Sequence, residues 1–184
     1  MPPAAAYLAD RALVLSDIAG STRTAAKLGD LAVFNLVRAF HDRAAGLASR
    51  HNGRLIKELG DGFLAVFDDA ADALHFAREL PTVFYEDETI SGEGLSLKLA
   101  IHYGRVSVGE TPYGEDVFGR DVNLVARLEG LAAPHEIVIS DAAMQRLSAE
   151  ELGLVNRRET SELRDIGKVG FGRLGFARLQ VAGA

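Results

Sequence analysis

The spacing of apolar residues changes several times along the chain, and each change marks an element. Residues 11–16 (RALVLS) form a short apolar run that stops at Asp17, the pattern of a strand buried in a sheet. A small-residue turn follows, Asp17-Ile18-Ala19-Gly20-Ser21-Thr22. From about residue 30 to 51 the apolar positions fall at Leu31, Phe34, Leu36, Val37, Phe40, Ala44 and Leu47, which predicts a helix ended by Asn52-Gly53. Residues 54–59 and 63–67 are two apolar runs around Gly60-Asp61-Gly62, and Asp-Gly in that setting signals a hairpin. Helical spacing returns over 69–80 at Ala73, Leu74, Phe76, Ala77 and Leu80, with Pro81 expected to stop it.

The polar stretch 86–94 (EDETISGEG) reads as a loop. Residues 95–103 alternate Leu95, Leu97, Leu99 and Ile101 with polar or small neighbours, giving a strand with one buried face. Gly104 is expected to turn the chain into a short run over 106–109, followed by a loop at 111–116 (TPYGED). A helix over 119–130, a strand over 136–140 and a helix near 141–152 come next. Two strand-like stretches, 159–166 and 174–181, flank a glycine-rich hairpin. Strands alternating with helices and joined partly by hairpins predict an α+β sandwich, a largely antiparallel sheet covered by helices.

Length and composition narrow the classes without naming one. A chain of 184 residues with 48% hydrophobic content is expected to form a single domain, 1–184, whose core spans about 11–180. The net charge of -6 gives no electrostatic support for binding a nucleic-acid polymer. The absence of cysteine excludes disulfides and thiolate metal sites and suits a reducing cytoplasm, the expected location. The start, MPPAAAYLADRALVLSD, lacks the pattern of a signal peptide. The apolar runs fall far short of the ~20 residues of a membrane span, so no direct membrane insertion is expected.

The residues that carry chemistry stand at element ends. Asp17 closes the first strand three residues before Gly20, and Asp61 sits in the hairpin turn between Gly60 and Gly62. If those ends adjoin, the two carboxylates can share a pair of hard divalent cations, which together stabilise both oxygens of an in-line displacement. Taken singly, each aspartate is as readily a turn or strand-end residue. Gly20-Ser21-Thr22 precedes a helix, where backbone N–H groups hold phosphate oxygens or a Ser/Thr simply caps. Asn123 and Arg127, four apart on a helix, share one face suited to a ribose oxygen and a phosphate oxygen. Lys57 lies within an apolar strand, where it either snorkels or binds something.

In this order the segments VLSDIAGST (14–22), IKELGDGF (56–63), LAIHYGRV (99–106) and DVFGRDVNLVARL (116–128) resemble the class III adenylyl and guanylyl cyclase catalytic domain, over about residues 11–180. The resemblance implies a ferredoxin-like, palm-type sandwich and the conversion of ATP to cyclic AMP with two Mg2+ or Mn2+ ions per active site. It makes Asp17 and Asp61 metal ligands together with the Ile18 carbonyl, and gives the terminal phosphates to Ala19, Gly20, Ser21 and Thr22. Lys57 and Asp116 fall at the base-recognition positions. A lysine donates to adenine N1 and a carboxylate accepts from its exocyclic amine, whereas guanine offers the reverse. Asn123 would orient the ribose, Arg127 would stabilise the α-phosphate, and Lys168 matches a phosphate-binding lysine. The family's sites are composite, which implies a homodimer in which one copy supplies Asp17 and Asp61. Its partner then supplies Lys57, Asp116, Asn123 and Arg127. An upstream regulatory domain or protein is compatible with this reading. Ser16, Tyr103 and Arg120 depart from the family's usual residues, and the last two bear on base choice or rate. Two other readings stay open on the residues alone: guanine or pyrimidine preference, and a nucleotide-binding regulatory or scaffold dimer without turnover.

Overall fold

The apolar run after residue 11 becomes the centre of β1 (Tyr7–Ala19), a strand longer at both ends than its pattern shows. The computed structural model describes residues 5–87, 94–155, 157–163 and 172–180. β1 pairs antiparallel with β4 (Ser96–Thr111) along its whole length, from Tyr7 opposite Val108 to Ala19 opposite Ser96. Alternation along β1 sends Ala12, Val14 and Ile18 to one face of the sheet and Leu13 and Leu15 to the other. Both faces are therefore buried at the centre.

The hairpin signal at Gly60-Asp61-Gly62 forms as expected, joining β2 (Gly53–Leu59) to β3 (Gly62–Phe67). The order across the sheet is β2-β3-β1-β4-β6-β8-β7, with β6 (Glu136–Ser140), β7 (Arg157–Leu163) and β8 (Gly172–Gln180) completing it. The β4–β6 pairing is parallel and the remaining pairings are antiparallel.

One face is covered by α2 (Asp30–Arg50), α3 (Ala70–Glu86) and α5 (Asp141–Met144), with α1 (Ser21–Leu28) packed on α2. Phe40, Phe63, Phe67, Phe76 and Phe84 interlock there at ring separations of 5.1 to 6.1 Å, the tilted and edge-on distances that aromatic rings prefer. The other face receives Leu124, Val125 and Leu128 of α4 (Arg120–Glu129) and Val117 of β5 (Gly114–Phe118).

The structure departs from the sequence expectations in four places. Pro81 does not stop α3, which continues to Glu86 with Pro81 inside it. Packing outweighs the lost hydrogen bond, because the extra turn buries Phe84 against Phe40 and lets the Tyr85 hydroxyl accept from Leu97 N at 3.1 Å. β4 runs straight through Gly104, which serves a close approach from α4 rather than a turn. The 111–116 segment is mostly strand: β5 folds back on β4 with Gly109 opposite Asp116. The 141–152 helix is two short ones, α5 and α6 (Ala149–Leu152), because Ser148 and Glu151 form a reciprocal capping box that starts a new helix. The glycine-rich hairpin with Lys168 lies outside the described residues. No helix among the described residues is long and apolar enough to cross a membrane.

Candidate active site

Asp17 shares the α4 side of β1 with Leu13 and Leu15, and its neighbour in the sheet is Lys98 of β4. Asp61 reaches it because the β2–β3 turn closes tightly over the end of β1. A Cβ at Gly62 would lie 2.0 Å from the Ser16 carbonyl oxygen, so only glycine lets the turn approach. The two carboxylates come within hydrogen-bonding reach of each other. Burial pushes the Asp17 carboxyl up to about 6, helped by the charges of Asp61 and Glu129, while Lys98 pulls the other way. Lys98 Nζ stands 2.6 Å from Glu129 Oε1 and 3.9 Å from Asp17 Oδ2. The Ser21 hydroxyl donates to the Asp61 carboxylate, tying the start of α1 to the hairpin turn.

Between Asp17 and Ser21 the chain makes its tight turn through Gly20, whose φ of 95° suits glycine. A Cβ there would lie 2.3 Å from the Gly94 carbonyl oxygen. α1 starts at Ser21 with no side-chain cap and no acidic residue in its first turn, so its leading N–H groups and dipole favour an anion. A cleft of about 620 Å³ opens beside this turn, and its lining includes Ser21, Thr22 and Asp61 together with Val33, Phe34 and Val37.

A second cluster lies where β2 meets β5. Simple alternation would put Lys57 on the same face as Leu55, in the helix-covered core. A bulge between Leu55 and Lys57 resets the register, so Lys57 pairs opposite Leu64 and faces β5. Its Nζ lies 2.6 Å from Asp116 Oδ1, donates to the Val117 carbonyl at 3.4 Å and sits over the Phe118 ring, 4.9 Å from its centroid. Phe118 is 54% exposed, leaving an aromatic face open beside the charged pair.

Leu124, Val125 and Leu128 hold α4 on the sheet, which leaves Asn123 exposed and Arg127 half-buried. Arg120 is the first residue of α4 and is exposed. Tyr103 packs on the opposite core, under the Arg146 guanidinium at 4.6 Å from its ring centroid, so it is removed from the Lys57–Asp116 face. The expected site residues thus fall into groups: Asp17, Ile18 and Asp61 with the 19–22 turn; Lys57 with Asp116; and Asn123 with Arg127. Sequence reasoning missed Lys98, Glu129 and the bond from Ser21 to Asp61. Lys98 carried little signal of its own, since a charge fits the polar positions of the alternating strand.

The donor set fits a hard divalent cation. Two crowded carboxylates, one of them pushed up to about 6, are relieved by positive charge. Among the described residues no group of three or more histidine, aspartate or glutamate side chains forms a metal cage. The remaining ligands would come from backbone, water and phosphate oxygens, as magnesium prefers.

Paired carboxylates beside a glycine turn and an uncapped helix start are the equipment of a metal-assisted, phosphate-handling domain. The family profile described as the adenylate and guanylate cyclase catalytic domain matches residues 7–174, and the chain belongs to that family. Class III cyclases are metal-dependent. The chain is 37% identical over 147 residues to an adenylate cyclase of Streptomyces coelicolor, covering 79% of this chain and 35% of the relative. It is 35% identical over 131 residues to an adenylate cyclase of Streptomyces griseus, covering 71% and 31%. The chain therefore spans about a third of the length of these relatives. Its fold matches the crystal structure of the guanylyl cyclase Cya2 with a TM-score of 0.81 at 22% identity, covering 97% of this chain and 95% of that one. It also matches the adenylyl cyclase CyaB from P. aeruginosa with a TM-score of 0.77 at 18% identity, covering 97% and 98%. At these identities the likeness to the solved structures is one of fold.

Proposed function

We propose that the chain is an adenylate cyclase catalytic domain that converts ATP to 3′,5′-cyclic AMP and pyrophosphate at sites shared between two copies. The observation that carries this reading is the meeting of Asp17 and Asp61, 44 positions apart in sequence, beside the phosphate-suited turn. The 2.6 Å Lys57–Asp116 pair supports adenine, since it holds a donor and an acceptor side by side. The two Streptomyces relatives bear the name adenylate cyclase, which agrees with that base.

Asp17, Asp61 and the Ile18 carbonyl would hold two Mg2+ or Mn2+ ions. Divalent cations there supply acidity to the ribose 3′-hydroxyl and neutralise the triphosphate. The chain's own groups do the rest. The 19–22 turn and Lys168 grip the terminal phosphates and fix the leaving group. Lys57 and Asp116 of the second copy fix the base, and Asn123 of that copy orients the ribose. The 3′-hydroxyl gives its proton to solvent, its oxygen attacks the α-phosphorus in line to form the new P–O bond, and the bond to pyrophosphate breaks with its electron pair leaving on pyrophosphate. Arg127 stabilises the charge that gathers on the α-phosphate as this happens. We assign the chain to a single catalytic domain in a cytoplasmic setting, where ATP is at hand. An upstream regulatory domain or protein fits a chain that spans about a third of its relatives.

The test is complementation with purified proteins, ATP and Mn2+. Asp17→Ala and Arg127→Ala should each be inactive alone. Mixed in equal amounts, they should recover about a quarter of wild-type activity, since half the dimers are mixed and each mixed dimer keeps one intact site. Verified heterodimers that form no cyclic AMP would refute the shared site.

A further inference from the structure

Buried polar groups require partners, and the imidazole of His102 in β4 has two. His102 is 3% exposed, with Nδ1 2.9 Å from Ser140 Oγ and Nε2 3.1 Å from Asp121 Oδ1. A carboxylate accepts and does not donate, so Nε2 carries its proton towards Asp121 and Nδ1 accepts from the Ser140 hydroxyl. Ser140 Oγ also accepts from Ala143 N at 3.2 Å, which caps α5. The second oxygen of Asp121 accepts from Arg105 N at 2.9 Å. Gly104 makes this approach possible, since a Cβ there would lie 2.5 Å from Asp121 Cγ. Groups from β4, β6 and α5 are thus chained to one carboxylate in the first turn of α4.

The apolar residues of α4 hold it against the sheet, but such contacts are non-directional and tolerate sliding and rotation. Directional hydrogen bonds at Asp121 remove that freedom at the end of the helix nearest Asn123. The rise from Asp121 to Asn123 is about 3 Å and to Arg127 about 9 Å at helical pitch, so a small rotation at Asp121 moves both groups. We infer that His102 and Asp121 form a positioning pair that fixes the rotation and depth of α4, and thereby aims Asn123 and Arg127 at the active site of the partner copy. The inference rests on the shared-site reading above.

Asp121→Ala should lower kcat about 10- to 100-fold, the cost of misplacing a catalytic group by about an ångström. KM for ATP should change less than about threefold, because Lys57 and Asp116 are untouched. Asp121→Asn should stay within about threefold of wild type. Its amide oxygen can accept from Arg105 N while its N–H donates to the other histidine tautomer.

Mixing separates positioning from general damage. Asp121→Ala mixed with Asp17→Ala leaves one site with both halves intact, so activity should rise well above that of either protein. Mixed with Arg127→Ala it leaves no intact site, and activity should not rise. The control is Asp17→Ala with Arg127→Ala. A control that fails to recover overturns the shared site itself. A control that recovers while Asp121→Ala recovers with both partners, with neither, or with Arg127→Ala alone overturns the positioning pair. An Asp121→Asn protein as slow as Asp121→Ala also overturns it. Should Asp121→Ala not fold, His102→Leu breaks the same bond from the other side and must show the same polarity.

Discussion

The aspartate cluster and the base cluster are built from the same kinds of side chain, yet their charge balance is opposite. Among the described residues, two further carboxylates, Asp61 and Glu129, stand around Asp17 against the ammonium of Lys98. The negative charge exceeds what the lysine offsets, and burial raises the Asp17 carboxyl to about 6. Around Lys57 one cation meets one carboxylate at 2.6 Å, with a carbonyl and an aromatic ring completing its surroundings. The first arrangement improves when a cation arrives. On the proposed function the second would open, exchanging its internal bond for two bonds to a base. Opening costs little: the Lys57 and Asp116 side chains are 27% and 21% exposed, and a pair so near the surface contributes only about 0–1 kcal/mol.

The sharpest way to break this comparison is to reverse the donor and acceptor at the base cluster. Lys57→Glu with Asp116→Cys should move the ratio of kcat/KM for ATP over GTP by about 100-fold or more towards GTP. Sites that hydrogen-bond a substrate group discriminate by at least that much when the group is mismatched. A nucleotide panel measured with both products quantified gives the ratio. If it stays unchanged, Lys57 and Asp116 do not read the base, and their ion pair merely ties β2 to β5.

A smaller effect tests the other half. Removing one charge from the aspartate cluster should relieve the metal-free fold, so Asp17→Asn should raise Tm in chelator by on the order of 1–2 °C. The rise is kept small by solvent, since the Asp17 side chain is 40% exposed. Mn2+ should then raise Tm of the wild type more than that of Asp17→Asn, because binding stabilises only the protein that binds. A drop in Tm on Asp17→Asn in chelator would show that the cluster is not self-repelling.

The two clusters also differ in how far the sequence announces them. Asp17 and Asp61 were legible because strand ends and glycine turns are local signals, and a hairpin between 54 and 67 must bring its turn to one edge of the sheet. The orientation of Lys57 was not legible, because alternation from Leu55 points it into the wrong core and a single bulged residue corrects it. Glu129 and Lys98 meet across 31 positions and through a sheet register that no local pattern encodes. Pro81 misled for the opposite reason: the local rule was right about the lost hydrogen bond and silent about Phe84 and Tyr85 beyond it. Gly104 carried a true signal read in the wrong direction, since the space it leaves belongs to Asp121 rather than to a turn. Local chemistry was readable where it depends on neighbours in sequence, and it failed where a distant element supplies the partner.

The smallest expected effect concerns the groups that hold α4 between the two clusters. Burial lowers the His102 pKa below its ordinary 6.5, although Asp121 pulls it back up. For a base whose folded pKa is depressed, the unfolded chain binds the proton more readily. The stability held by neutral His102 is thus fully present above about pH 6.5 and is lost as pH falls below that value towards the lower folded pKa. Replacing His102 with Asn removes the titrating group while keeping a polar side chain near Ser140 and Asp121. Its Tm should lie below wild type at pH 7.5, and the gap between the two proteins should narrow steadily from pH 6.5 to pH 5. Other acidic groups titrate in both proteins and cancel in that difference. A constant gap would mean that folding leaves the His102 pKa where it is, and a gap that widens would mean that the folded protein takes up the proton, so that both ring nitrogens donate; either overturns the neutral imidazole assigned here.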